Sequence, residues 1–327
     1  MRGVRRSNSN NMQLTIMKRV LSLIVSITFF ALTLPAQTRA LVTLSHEGQL
    51  KFFDNISAFE DAVTAAKDGD IIYLSEGKFG ASKSSFEIDK NISIVGCGYK
   101  SHIIPSIRFY NSSGLAIAFT MPIFDGVRLE KLTFNASYDF RQIEIKKCKI
   151  DKFNSEHATD IRLDRCNIGT FNGYSNKNVQ LTNCKISKFI GTECEFMENC
   201  NIKEFANYSP AFISNSIIEG FSSNHSKGIY ENCMIVDKTN AISTNDYRNC
   251  YSPAEGTTSV LDDDLECTIE DMSPYVGTDG TVIGVYGGQW FPYSETPSVP
   301  TVDSANSSVE YDKETNKLNV TITVAPN

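Results

Sequence analysis

Tryptophan and histidine are nearly absent from this chain, which has one Trp and four His in 327 residues. The histidines, His46, His102, His157 and His225, fall at irregular intervals that match no metal-ligand spacing, so each reads as a loop residue and no metal centre is expected. No acidic run alternates ligand and glycine as a dedicated Ca²⁺ loop does. The densest run, Asp262-Asp-Asp-Leu-Glu266 with Glu270 and Asp271 nearby, reads as a solvated turn, and Ca²⁺ is the one cofactor it could attract. Cysteine is missing before Cys97, which excludes a lipidated N-terminal cysteine. Basic charge is also short, with 31 Lys+Arg against 38 Asp+Glu. Residues 1–40 hold six of the basic residues and no acidic one, so the rest of the chain carries 25 against 38, or −13. Such a surface disfavours nucleic acid and anionic membranes, and it repels polyuronates unless Ca²⁺ mediates.

What the chain does have is a rhythm. Cys148, Cys166, Cys184, Cys200, Cys233 and Cys250 follow one another at intervals of 18, 18, 16, 33 and 17 residues, and Ser216 stands where the double interval lacks a cysteine. Around each beat the apolar residues fall at −5, −3, 0, +2 and often +5, as in Ile143, Ile145, Cys148, Ile150 and Phe153. Steps of two are strand steps, because alternate side chains of a strand share a face. Steps of three break that parity and predict bends between −3 and 0 and between +2 and +5, giving three short strands per repeat.

At the first bend stand Asn183, Asn199, Asn215, Asn232 and Asn249. Asparagine tolerates the left-handed backbone that a sharp bend requires. A bent coil of this length stacked on itself is a parallel β-solenoid, with neighbouring coils ~4.8 Å apart. About ten coils are expected between Ile72 and Tyr251. In-register cysteines would have Cα atoms within bridging range, but their parallel Cβ vectors stay further apart than the ~3.8 Å a disulfide prefers. Mostly free, buried thiols are therefore expected, and an odd total of nine leaves at least one unpaired within the chain.

The ends read differently. Residues 20–34 form an apolar run behind Lys18 and Arg19, followed by small residues at Ala36 and Ala40, so residues 1–40 read as a secretory signal peptide, too short for a span. No transmembrane segment is expected after its removal. Residues 57–67 read as an amphipathic helix with a Ser57/Glu60 capping box, placed to cap the first coil. Residues 41–288 would form the solenoid domain with this cap. Residues 289–327 would hold a linker with Pro292, Pro297 and Pro300 and a two-stranded tail around Asp312-Lys-Glu-Thr-Asn316.

The segment Ala62-Val-Thr-Ala-Ala-Lys-Asp-Gly-Asp-Ile-Ile-Tyr-Leu-Ser-Glu-Gly-Lys-Phe79, followed by Asn91-Ile-Ser-Ile-Val-Gly96, resembles the opening of the pectin-lyase-like (pectate lyase) superfamily. Ser273-Pro-Tyr-Val-Gly-Thr-Asp-Gly-Thr-Val-Ile-Gly-Val-Tyr-Gly-Gly288 is similar to the segment that closes such domains in exported bacterial proteins. The resemblance implies an all-β, single-stranded, right-handed parallel β-helix with an N-terminal capping helix and a C-terminal hairpin. It also implies a menu of polysaccharide lyase, hydrolase and esterase chemistry. Lyases of this type use an Arg or Lys base and carboxylates that hold Ca²⁺, in grooves walled by long loops.

Intervals of 16–18 residues leave no room for such loops. The best mixed-charge cluster on the outward slots is Lys146, Arg162 and Asp164, the candidate substrate-binding residues. The simpler reading of the same three is a solvated face with cross-strand charge pairs. The expected function is thus a secreted or cell-surface, non-catalytic β-helix that contacts carbohydrate or a cell-surface glycan. A polysaccharide-degrading enzyme and an adhesin-like spacer are the alternatives.

Overall fold

Period-two alternation inside each repeat makes strands, and the near-constant repeat length lets each strand pair in parallel with its counterpart one repeat later. A computed structural model describes residues 41–110, 117–119, 123–135, 139–191, 194–206, 210–222, 228–241, 243–288, 301–312 and 317–325. The signal-peptide and proline-linker expectations lie outside these residues.

Two sheets wrap one apolar interior. Sheet 1 has 13 strands and opens with the antiparallel pair Val42–His46 and Gln49–Phe53. It then runs in parallel from Ile71–Leu74 through Phe140–Lys146, Thr159–Asp164 and Lys177–Thr182 to Asp246–Arg248. Sheet 2 has 11 strands, including Lys149–Glu156, Asn167–Tyr174, Lys185–Ile190, Asn201–Ala206 and Ile217–Phe221. Together they form a parallel β-solenoid of about eight turns. The expected count of about ten is higher because the last coils thin out: Met234–Ile235 is two residues long, and beyond Asp246–Arg248 a single bridge joins Tyr251 to Met234.

Register carries the slot pattern into space. Ile145, Leu163 and Leu181 pair in sequence on sheet 1, and Phe153, Phe171, Phe189, Phe205 and Phe221 do so on sheet 2. All of these side chains are buried.

The first bend is as expected. Asn183, Asn199, Asn215, Asn232 and Asn249 have φ of 49°, 53°, 51°, 49° and 49°, and Lys147 and Arg165 take the same conformation in the two preceding coils. The second bend differs from expectation. In the central coils +2 and +5 lie on one strand, Lys149–Glu156, where Asp151 and Lys152 both face outward and the pairing passes from Ile150–Ile168 to Lys152–Thr170. Neither residue has positive φ, and the ladder resumes directly after the skipped Asp151 position. Two further positive-φ positions recur later in these coils, at His157, Ser175 and Gly191 with φ of 59°, 53° and 63°, and at Gln142, Asp160 and Asn178 with φ of 58°, 59° and 53°.

The helix spans Ala58–Ala65 and buries Ala58, Phe59, Ala62 and Val63 in the solenoid's own core, with Phe59 edge-on to Phe86 at 5.1 Å. The expected capping box does not form, because the Ser57 side chain makes no cap bond and Glu60 pairs with Lys83. Asn55 replaces it: its Oδ1 accepts from Ser57 N–H at 2.7 Å and its Nδ2 donates to Asp61 at 2.9 Å. At the other end, Thr301–Asp312 pairs antiparallel with Lys317–Ala325.

All nine cysteines are free thiols. Those of the ladder have a bonding task besides filling space. Cys148, Cys184, Cys200 and Cys233 each donate to the carbonyl two residues earlier at 3.1–3.4 Å, and Ser216 Oγ does the same at 2.7 Å. The sulfur or oxygen also accepts from the corner N–H one coil back, Cys166 N–H to Cys184 Sγ at 3.4 Å and Cys200 N–H to Ser216 Oγ at 3.0 Å. This explains why serine fits where a cysteine is missing.

A prediction follows for Cys184. The substitution Cys184→Ser retains donor and acceptor and is expected to cost under about 1 kcal/mol. Cys184→Val strips the Cys166 N–H of its partner and is expected to cost about 1–3 kcal/mol. Urea unfolding of the two variants measures the difference, and equal losses would contradict the bonding role.

Candidate functional site

The outward slots of sheet 1 form straight rows, because each residue sits beside its counterpart on the next rung. One row runs Glu144, Arg162, Gln180, Phe196, Phe212, Ile229 and Asp246, and the adjacent row Lys146, Asp164, Thr182, Glu198, Ser214, Glu231 and Arg248. The structure brings Lys146, Arg162 and Asp164 onto two neighbouring rungs of one face. Lys146 pairs with Glu144 at 2.8 Å, and Asp164 is engaged by Arg165 and by Thr182 Oγ1 at 3.3 Å. Arg162 is exposed. The two ion pairs lie within single rungs instead of bridging strands as expected, and such partly exposed pairs contribute little to stability.

The same row holds two aromatic residues that slot counting passed over in part. Phe196 and Phe212 stack with centroids 6.0 Å apart and planes 9° from parallel, both partly exposed. Phe212 stands in a counted slot. Phe196 stands at the same offset, four residues before Cys200, in a coil whose pattern is broken because Glu195 holds the usual apolar −5 place and Cys194 pairs with Val179 instead. The available signal was an apolar residue in an outward slot on two successive rungs. Glu198, beside this stack, is held above the usual carboxylate range by partial burial and then by Asp279.

A second constellation lies where residues 259–288 fold back along the solenoid. The bend asparagines Asn183 and Asn215, with Asn201 of the strand after the bend, bind this strap. Asn183 Nδ2 donates to the carbonyls of Val285 and Gly287 at 3.0 and 2.8 Å, Asn201 Nδ2 to Leu265 at 2.8 Å, and Asn215 Oδ1 accepts from Thr278 N–H at 2.9 Å. Glu219 Oε1 accepts from the N–H groups of Val260 and Leu261 at 3.0 and 2.8 Å. Beneath it Val260, Leu261, Leu265 and Ile283 pack on Ile217 and Met234, which point away from the main interior. Gly284 has φ of +90°, and a Cβ there would stand 2.6 Å from Asn201 Oδ1, so only glycine permits this approach.

Beside the strap a groove of about 140 Å³ is lined by Lys149, Asp151, Asn167, Gly169, Ser187 and the turn Asp263, Asp264 and Leu265. The acidic run forms this turn. Asp262 Oδ1 accepts from the N–H groups of Asp264 and Glu266 at 2.9 and 2.8 Å, and Glu266 pairs with Lys185. Among the described residues no three His, Cys, Asp or Glu side chains gather as they would to hold a metal ion. No described helix is long and apolar enough to cross a membrane.

The fold places this chain in the class of parallel β-solenoid proteins. No protein-family model, curated protein or solved structure matches it.

Proposed function

We propose that this protein is an exported, non-catalytic, right-handed β-helix of the pectin-lyase-like type, which meets carbohydrate or a cell-surface glycan through the outer face of sheet 1. In this reading the helix Ala58–Ala65 caps the first coil and the C-terminal hairpin is an accessory tail. The carrying observation is the stacked, partly exposed Phe196–Phe212 pair, in line with Gln180, Arg162 and Glu144. Pyranose rings present an apolar C–H face that stacks on flat aromatic rings, while their hydroxyls need donors and acceptors beside them. The adjoining row supplies both kinds through Lys146, Asp164 and Thr182.

Glycan-array binding of the chain without residues 1–40 tests this, with the double variant Phe196→Ala/Phe212→Ala as control. A loss of about tenfold or more in affinity, equivalent to about 1.4 kcal/mol, is expected in the double variant with an unchanged circular dichroism spectrum. Equal binding by both proteins would sink the assignment to this face, and no glycan bound at all would favour the spacer.

One observation supports a second reading as a polysaccharide lyase. The groove by the strap brings a cation, Lys149, together with Asp151, Asp263 and Asp264. Ultraviolet absorbance of an unsaturated product on any polyuronate, abolished in Lys149→Ala, would replace the first reading with this one.

A further inference from the structure

Within the thiol ladder one pair stands apart. Ser216 separates Cys233 from the cysteines below it, and Cys250 belongs to the last parallel rung of sheet 1, Asp246–Arg248. The rungs align as Tyr230–Tyr247 and Glu231–Arg248, which sets Cys233 beside Cys250. Two backbone bonds hold this register: Asn232 N–H to Arg248 O at 2.9 Å and Tyr251 N–H to Cys233 O at 2.8 Å.

Mechanics and access both distinguish the pair. In-register rungs keep Cβ atoms near ~4.8 Å, about 1 Å beyond what a disulfide prefers. Cys166 and Cys184 each have a rung above and below, and a shift of either would break pairing on both sides. Cys250 is paired on one side only, through a three-residue strand. It is also the one ladder thiol that is partly exposed, whereas Cys148, Cys166, Cys184, Cys200 and Cys233 are buried.

We infer that Cys250 and Cys233 form a redox-addressable dithiol that closes to a disulfide across the last two rungs. The oxidant is a small external disulfide of the glutathione class. The Cys250 thiolate attacks one sulfur of that disulfide, forming a mixed disulfide and expelling one small thiolate. Cys233 then gives up its proton and attacks the Cys250 sulfur, expelling the second. Two protein thiols are oxidised by two electrons, and one small disulfide is reduced to two thiols. The ionisation balance suits these roles. The neighbouring Cys233 thiol brings Cys250 down to about 7, while burial raises Cys233 well above the usual thiol range. The exposed partner is thus the attacking thiol and the buried one resolves.

The test uses the full chain, reduced and then exposed to oxidised glutathione near neutral pH, trapped with an alkylating agent and digested without reductant. Trypsin cuts at Lys238 and Arg248 between the two cysteines, so a bridge appears as two linked peptides. The expected result is that linked pair, with the ladder thiols from Cys148 to Cys200 alkylated only after denaturation. In Cys233→Ser, which Ser216 shows the corner can hold, glutathione should remain on Cys250. In Cys250→Ser neither product should form, which covers the case in which the first variant fails to fold. A glutathione adduct persisting on Cys250 of the unaltered protein would overturn the inference. So would a bridge elsewhere in the native ladder, or no reaction at Cys250.

Discussion

Phe171→Ala is expected to remove about 3–5 kcal/mol of stability, the largest loss from any single truncation considered for this chain. Phe171 is fully buried and stacks on Phe153 at 4.8 Å and Phe189 at 4.7 Å, so its removal leaves a void between two rings that rungs on either side hold in place. The cost combines lost transfer energy with a cavity that the ladder cannot close, and each aromatic pair adds about 0.5–1.5 kcal/mol beyond its area. A protein of ordinary stability, about 5–15 kcal/mol, would lose about a fifth or more of it. Denaturant unfolding measures the change. A solenoid's rungs touch only their neighbours, so hydrogen exchange should accelerate first around Asn167–Tyr174. Phe171→Leu should recover most of the loss. A cost below about 1 kcal/mol for the alanine variant would mean that the aromatic row does not carry the stability of these coils.

Glu266→Ala is expected to cost about 2–3 kcal/mol and to loosen the strap. Lys185 is 2% exposed and its ammonium meets the Glu266 carboxylate, which is itself 38% exposed and accepts from Tyr286 at 2.9 Å. Removing one partner of a fully buried pair costs about 3–5 kcal/mol, and solvent access to Glu266 lowers that figure. The complementary change, Lys185→Met, removes the charge together with the need for a partner and should stay within about 1 kcal/mol of the unaltered protein. The pair of measurements separates a desolvated ammonium from simple loss of packing. Limited proteolysis supplies the local readout: residues 259–288 should be cut early in Glu266→Ala and late in Lys185→Met. Equal behaviour of the two variants would contradict the account.

How much of this was legible beforehand depends on the distance over which each contact acts. The bends at Asn183 to Asn249 were legible because a positive φ is a local demand that one residue type meets at low cost. The interior rows were legible because a repeat of 16–18 residues places like residues in register automatically. The capping box at Ser57 and Glu60 was misread because its signature is shared by sequences in which a neighbour, here Asn55, offers better geometry. Phe196 was less legible because Glu195 interrupts the apolar pattern of its coil, and the site expectation settled on Lys146, Arg162 and Asp164 instead.

The sequence alone determined that this chain is a stack of short coils around an apolar interior, where its cysteines lie and that asparagines turn the first bend of five coils. Those properties follow from backbone conformation and from a period, and both are written within about twenty residues. Only the tertiary structure decided that Asn183 and Asn215 also grip the strap, that Lys185 is buried against a carboxylate 81 residues away, and that Phe196 and Phe212 share one open face. Such contacts join aperiodic or displaced segments. Their partners are chosen by packing once the coils have stacked, and no local pattern encodes that choice.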